Sequence, residues 1–287
     1  MLKGKSSKKS GEDASREELR ARWYAPPLTP GDGRPLRLVQ AIERVVPWAD
    51  LRHEMREGYF SPKLLADRDS VLNGAGAAGK IPLICNKDAK RAITILHIPE
   101  HGPESAVKLD VTVYFPPEPD IVQRAADLAA AMGTALNAFW GDITPLSTGS
   151  TIASQAVPEG SRSTPGYPPP GLPELALREH IDSPYVPYGL GWVCYWSKET
   201  AERIDFPDPA RHAELLERSR KLENGAWVVQ LTDEPLYVYV RFPVYLPDGS
   251  YEIPEPWDLS NPEHKRILAR AYELLPAIGG RDTLAQP

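Results

Sequence analysis

Gly74-Ala-Gly-Ala-Ala-Gly-Lys80 fits both G-x-G-x-x-G and G-x-x-x-x-G-K. Both patterns hold phosphate by aiming backbone amides and a helix N-terminus at it, which requires strand, loop and helix in that order. Here a helical pattern precedes and a strand pattern follows, and Ile81 stands where a magnesium-binding Ser or Thr belongs. The stretch therefore reads as a helix end and a flexible loop. His97 and His101 have the i, i+4 spacing of helical metal ligands, but Pro99 lies between them in a strand pattern and no third ligand is near. Thr148-Gly-Ser150-Thr-Ile152 lacks the G-x-S-x-G elbow. Asp248 with Glu263 and Lys265 offers nuclease-type residues, yet the last two fall in a helix capped by Asn261, where that chemistry wants its acids on adjoining strands. Glu214 and Glu217 read as a solvated helix face. No catalytic residue, cofactor site or metal site is assigned.

The remaining nucleophile is Cys194, within Tyr188-Gly-Leu-Gly-Trp-Val-Cys-Tyr-Trp-Ser197. It would serve a hydrolase if His180 or His212 came close in the fold. No adjacent lysine or helix N-terminus favours a thiolate, and the competing reading is a small buried residue on a strand. At strand spacing Trp192, Cys194 and Trp196 share one face, while Val193, Tyr195 and Ser197 share the other. Gly189 and Gly191 permit a tight approach or a bulge.

These residues must be positioned by a chain of 287 residues with 41% hydrophobic and 25% charged content, long enough for one large domain or two modest ones. The net charge is -6, and the four lysines and no acid of the first ten residues leave -10 on the remainder. So acidic a body argues against direct nucleic-acid binding and suits a basic partner. Cys85 and Cys194 form neither a disulfide framework nor a zinc pattern. No signal-peptide pattern and no long apolar run is visible, so the expected compartment is the cytoplasm, with no membrane partner. The oligomeric state is left open.

Residues 1–18 read as a disordered basic tail and 19–154 as an N-terminal α+β lobe. Residues 155–187, rich in proline, read as a connector that is either a linker or a strap, and 188–287 as a C-terminal α+β lobe. Whether the lobes are one domain or two is open. Helices are expected at 35–46, 63–73, 118–139 (the longest), from about 198, near 209–221 and at 261–275, the last with Asn261 as N-cap. Strands are expected at 21–25, 51–55, 81–85, 92–98, 107–115 and 226–231. In 107–115 the Leu109, Val111, Val113 face should be buried and the Lys108, Asp110, Thr112 face wet. Residues 236–246 alternate between Val238, Val240 and Tyr237, Tyr239, Tyr245, and a turn at 247–250 should return as a hairpin through Tyr251. Pro243 marks an edge strand. The fold class is α+β, a largely antiparallel sheet with helices packed on one face.

Gly189-Leu-Gly-Trp192 is a G-x-x-W element leading into an aromatic strand. With Ala138-Phe-Trp-Gly141 and Ala271-Tyr-Glu-Leu-Leu-Pro-Ala-Ile-Gly-Gly280, the chain resembles an uncharacterised bacterial family similar to the immunity protein 52 family of polymorphic toxin systems. The resemblance implies an α+β fold, no catalysis and a cognate protein toxin, such as a basic nuclease. Gly189, Trp192 and Trp196 would then be structural motif positions. The expected partner face is the tyrosine side of the 236–256 region: Tyr237, Tyr239, Tyr245, Tyr251 and Trp257, flanked by Asp233, Glu234, Asp248 and Glu252. The other readings are a hydrolase using Cys194 and a scaffold that docks through its proline segment. The tyrosines could equally cover the protein's own core.

Overall fold

The computed structural model describes residues 17–55, 62–98, 108–156, 168–181, 183–241, 244–245, 251–252 and 254–281. Along the chain run β1 (Leu19–Ala25), α1 (Arg34–Val45), β2 (His53–Glu54), β3 (Lys63–Leu64), α2 (Arg68–Gly74), β4 (Ile84–Cys85), β5 (Thr94–Ile98) and β6 (Leu109–Phe115). Then come α3 (Pro119–Gln123), α4 (Ala125–Leu136), β7 (Trp140–Pro145), α5 (Leu146–Ala153), β8 (Val193–Trp196), α6 (Lys198–Arg203), α7 (Ala213–Leu216), β9 (Ser219–Lys221) and β10 (Trp227–Gln230). The hairpin β11 (Val244–Tyr245) and β12 (Tyr251–Glu252) precedes α8 (Pro262–Leu274).

Among the described residues ten strands form one open sheet in the order β3-β2-β4-β5-β6-β1-β7-β8-β10-β9, with neighbours antiparallel. The fold is α+β, as expected, and the sheet draws strands from both ends of the chain. β1 sits near its centre because its alternation serves two interiors. Trp23 packs edge-on against Tyr195 on the side where α4 lies, and Gly133 of α4 rests directly on the Tyr195 ring. Arg20, Arg22 and Tyr24 point to the opposite side, where Gly149 of α5 lies against the Arg20 guanidinium.

Several expected elements differ. The helix of 118–139 is two, α3 and α4, broken at Arg124, whose φ of -104° and ψ of 10° leave the helical region. The helix of 63–73 starts only at Arg68, where the Asp67 carboxylate caps the Ser70 amide, and β3 precedes it. The helix of 209–221 shrinks to α7, because Ser219–Lys221 is recruited by β10 into the sheet, a tertiary pairing that overrides local propensity. The face of β6 expected to be wet is enclosed: Asp110 and Thr112 are buried. On that face Asp110 is held by Arg22, and Lys108 reaches the Tyr188 hydroxyl. The described part of the proline-rich segment is tied back to the fold, with the Leu175 amide on the Gln155 carbonyl and the Ala176 amide on the Gly279 carbonyl. Its Leu172, Leu175 and Val186 are buried. α8 begins as expected, the Asn261 side chain accepting from the Glu263 and His264 amides. Residues 1–16, 157–167, Pro243, the 247–250 turn and His101 lie outside the described residues. Among the described residues no helix is long and apolar enough to cross a membrane.

Candidate functional site

The expected partner face begins with a strip, 235–240, laid along α5. Thr148 Oγ1 donates to the Leu236 carbonyl at 2.7 Å and accepts from the Val238 amide at 3.0 Å, and the Val240 amide donates to Thr151 Oγ1. The strip's other edge is tied to 257–261, through the Arg241 amide on the Trp257 carbonyl and the Leu259 amide on the Tyr239 carbonyl. Leu236, Val238 and Val240 are therefore buried, and Tyr237 and Tyr239 stand half-buried on the outside with ring centroids 6.4 Å apart. Asp233, Glu234 and Glu252 are exposed and Trp257 is half-buried. Asp233 pairs with Arg218 at 2.9 Å, so its charge is already shared. Tyr245 and Tyr251 face each other across β11 and β12. Their side chains and Asp248 lie outside the described residues. A groove of about 250 Å³ adjoins the strip, with Glu17, Glu234, Tyr237 and His264 on its walls. Burial lowers the His264 pKa despite Glu234 and Glu263, and Nδ1 accepts the Tyr237 amide at 2.8 Å.

The motif residues lie within the packed sheet region, Gly189 half-buried. Trp192 and Trp196 are fully buried, Trp192 Nε1 donating to the Thr232 carbonyl at 2.8 Å. Cys194 is buried between them in β8. Burial, and then the neighbouring Asp142 charge, push its thiol far above the ordinary value, and Sγ donates to the Gly191 carbonyl. His180 is exposed, while His212 spends its ring nitrogens on the Asp208 amide and the Leu274 carbonyl. A neutral thiol without a base is not an activated nucleophile. The Gly74–Lys80 stretch follows α2 and precedes β4, the order opposite to that of a phosphate-binding loop.

A second site went unforeseen. On the α5 side of the sheet the register sets Arg22 opposite Asp142, Tyr24 opposite both Asp110 and Trp140, and Asp142 opposite Cys194. Arg22 does not take the carboxylate across from it. Its Nε donates to both oxygens of Asp110 at 3.1 Å and its terminal nitrogen closes a second contact. Burial alone would lower the Arg22 pKa, but the Asp110 bonds outweigh it and raise it. Asp142 is left without a hydrogen bond or ion pair among the described residues. Burial pushes its carboxyl up to about 6, against the pull of Arg20, Arg22 and Arg178.

Around Asp142 lies a cavity of about 60 Å³, walled by Arg20, Arg22, Tyr24, Trp140, Ile152 and Arg178 among others. Tyr24 is 1% exposed and its hydroxyl has no hydrogen-bond partner; burial raises its pKa well above normal. Arg20 Nε is likewise buried and unpartnered. Tyr24, Trp140 and Tyr188 form the aromatic wall, with centroids 4.2 to 5.0 Å apart. Lys108 donates to the Tyr188 hydroxyl at 2.8 Å. Two glycines keep the space open. A Cβ on Gly149 would lie 2.3 Å from an Arg20 nitrogen, and one on Gly191 would lie 2.5 Å from the Asp142 Cβ. The available signal was alternation: Arg20, Arg22 and Tyr24 recur at period two in Leu19–Ala25, as do Asp110 and Thr112 in β6.

Comparison with known proteins gives one family. The family described as Domain of unknown function (DUF5953) matches residues 30–241. No curated protein matches. A solved structure described as "Pseudomonas aeruginosa T6SS protein PA0821" is similar at 13% identity and a TM-score of 0.47, covering 90% of this chain and 74% of that one.

Proposed function

The chain belongs to the DUF5953 family, a domain of unknown function, and from that premise we propose that it is a non-enzymatic, immunity-type protein that binds and neutralises a cognate protein toxin. The observation that carries this reading is the strip 235–240. A segment pinned on both edges presents Tyr237 and Tyr239 outward beside exposed Glu234, without having to be ordered on binding. Half-exposed aromatics on a rigid support are the side chains that anchor interfaces. The groove beside them adds Glu17 to Glu234, and the -10 carried outside the basic N-terminus favours a basic partner such as a nuclease. The G-x-x-W element at Gly189 to Trp192 supports kinship with the immunity protein 52 family.

The test is co-expression with the product of the adjacent gene, assayed for toxicity on its own, followed by a binding measurement on the purified pair. Wild type restores growth, and the double variant Tyr237→Ala/Tyr239→Ala weakens binding by about a hundredfold while keeping the wild-type Tm. A toxin that stays lethal in the presence of the wild-type protein overturns the reading.

A further inference from the structure

We propose that the cavity around Asp142 binds a small zwitterion of the α-amino acid class, its carboxylate held by Arg20 and Arg178 and its ammonium by Asp142. This inference is independent of the toxin-binding surface, which lies on the strip 235–240.

The cavity holds charges of both signs that face the same space and do not meet. Asp142 is bordered by Arg20, Arg22 and Arg178, yet forms no ion pair or hydrogen bond among the described residues. Arg22 is committed to Asp110, so Arg20 and Arg178 are the cations available to a guest. Buried charges and polar atoms are ordinarily paired, because leaving water unpaired is costly. Two buried atoms break that rule here, Arg20 Nε and the Tyr24 hydroxyl, and the Asp142 carboxylate beside them has no hydrogen bond or ion pair among the described residues. A guest that restores the rule must accept from the arginines and donate to the aspartate at the same time.

That requirement sorts the candidates. A simple anion would set its charge against Asp142. A simple cation would meet the arginines. An ammonium and a carboxylate on one carbon match the two signs, and the Tyr24 hydroxyl supplies a further donor for the carboxylate. Size narrows the choice further. About 60 Å³ is room for a few water-sized groups, which admits glycine or alanine and excludes a nucleotide or a sugar. Gly149 and Gly191 hold that room open, since a methyl at either position would collide with Arg20 or Asp142. Arg178 is exposed at the mouth, in the proline-rich segment, where it can close on a guest.

The experiment titrates the purified full-length protein with glycine and with L-alanine, by calorimetry and by amide shifts in NMR. Acetate, methylammonium and inorganic phosphate serve as probes carrying one kind of charge. Glycine is expected to saturate one site about tenfold more tightly than any of the three. Asp142→Asn should erase that preference over acetate, and Arg178→Ala, at an exposed position, should weaken glycine and acetate alike. No saturable binding of either amino acid would mean a cavity filled by water, and overturns the proposal. So does phosphate or acetate binding as tightly as glycine, or glycine binding that both folded variants leave unchanged.

Discussion

Arg22 and Asp142 stand directly opposite one another on neighbouring strands, yet the guanidinium turns to Asp110 on the other side. Two carboxylates compete for one forked donor, and the one reached by both Nε and a terminal nitrogen wins, as planar two-point pairing predicts. The loser, Asp142, bears the consequence in its ionisation. Burial raises its folded pKa to about 6, whereas the unfolded chain titrates near the ordinary carboxyl value of 3.8. Between those values the folded protein keeps a proton that the unfolded chain has released. Stability therefore falls as pH rises through this window, and the loss is complete above it. The groups facing Asp142 do not cancel the effect: Arg20, Arg22 and Arg178 are guanidiniums, Asp110 is engaged with Arg22, and burial keeps Cys194, Tyr24 and Tyr272 neutral. Asparagine cannot ionise. The stability of Asp142→Asn relative to wild type should thus rise by roughly 2 kcal/mol between pH 4 and pH 7.5, read from urea unfolding at each pH. A difference independent of pH would show that Asp142 titrates normally.

At the scale of elements, the strip 235–240 is attached to α5 by hydroxyl groups where a sheet would have used backbone. Thr148 Oγ1 serves two partners at once, the Leu236 carbonyl and the Val238 amide. Thr148→Val keeps the shape and strands both buried backbone groups, at a cost of roughly 2–4 kcal/mol. Thr148→Ser retains both bonds and should lose less than half as much. Chemical denaturation of the two variants, with hydrogen exchange at the Val238 amide, measures this; equal losses would mean that the methyl group and not the hydroxyl holds the strip. How far elements were legible follows the same division. β6, β8, α8 and the alternation of 236–240 were readable because hydrophobic period and capping are local signals. The break at Arg124 and the capture of Ser219–Lys221 by β10 were not, because each is decided by what packs alongside. The tyrosine face was legible as a face. The cavity was not, since Arg20, Asp110 and Asp142 lie on three strands whose adjacency the local pattern does not encode.

For the whole molecule, sheet order bears on how the chain unfolds. Reading the proline-rich stretch as a divider predicts an N-terminal and a C-terminal lobe, and two lobes could melt apart. The sheet, however, runs without a gap from β7 to β8, with Trp140 against Trp196, Gly141 against Tyr195 and Asp142 against Cys194. Trp23 of β1 packs on Tyr195 of β8, Tyr272 of α8 donates to Gln155, and the Ala176 amide reaches Gly279. Separating the halves would expose these aromatic side chains and leave a central sheet edge unpaired, so partial melting gains little entropy for a large loss of buried surface. Unfolding should be one cooperative transition. Far-ultraviolet dichroism, which sees helices throughout, and tryptophan emission, which includes Trp192 and Trp196 beyond the proline segment, should give coincident urea curves. The pair Gly191→Ala and Gly141→Ala supplies the sharper check, because each side chain would press on β1 or β7 from a different half. Both substitutions should move the same single midpoint. Two resolved transitions, with Gly191→Ala shifting only one, would establish two lobes that merely share a sheet.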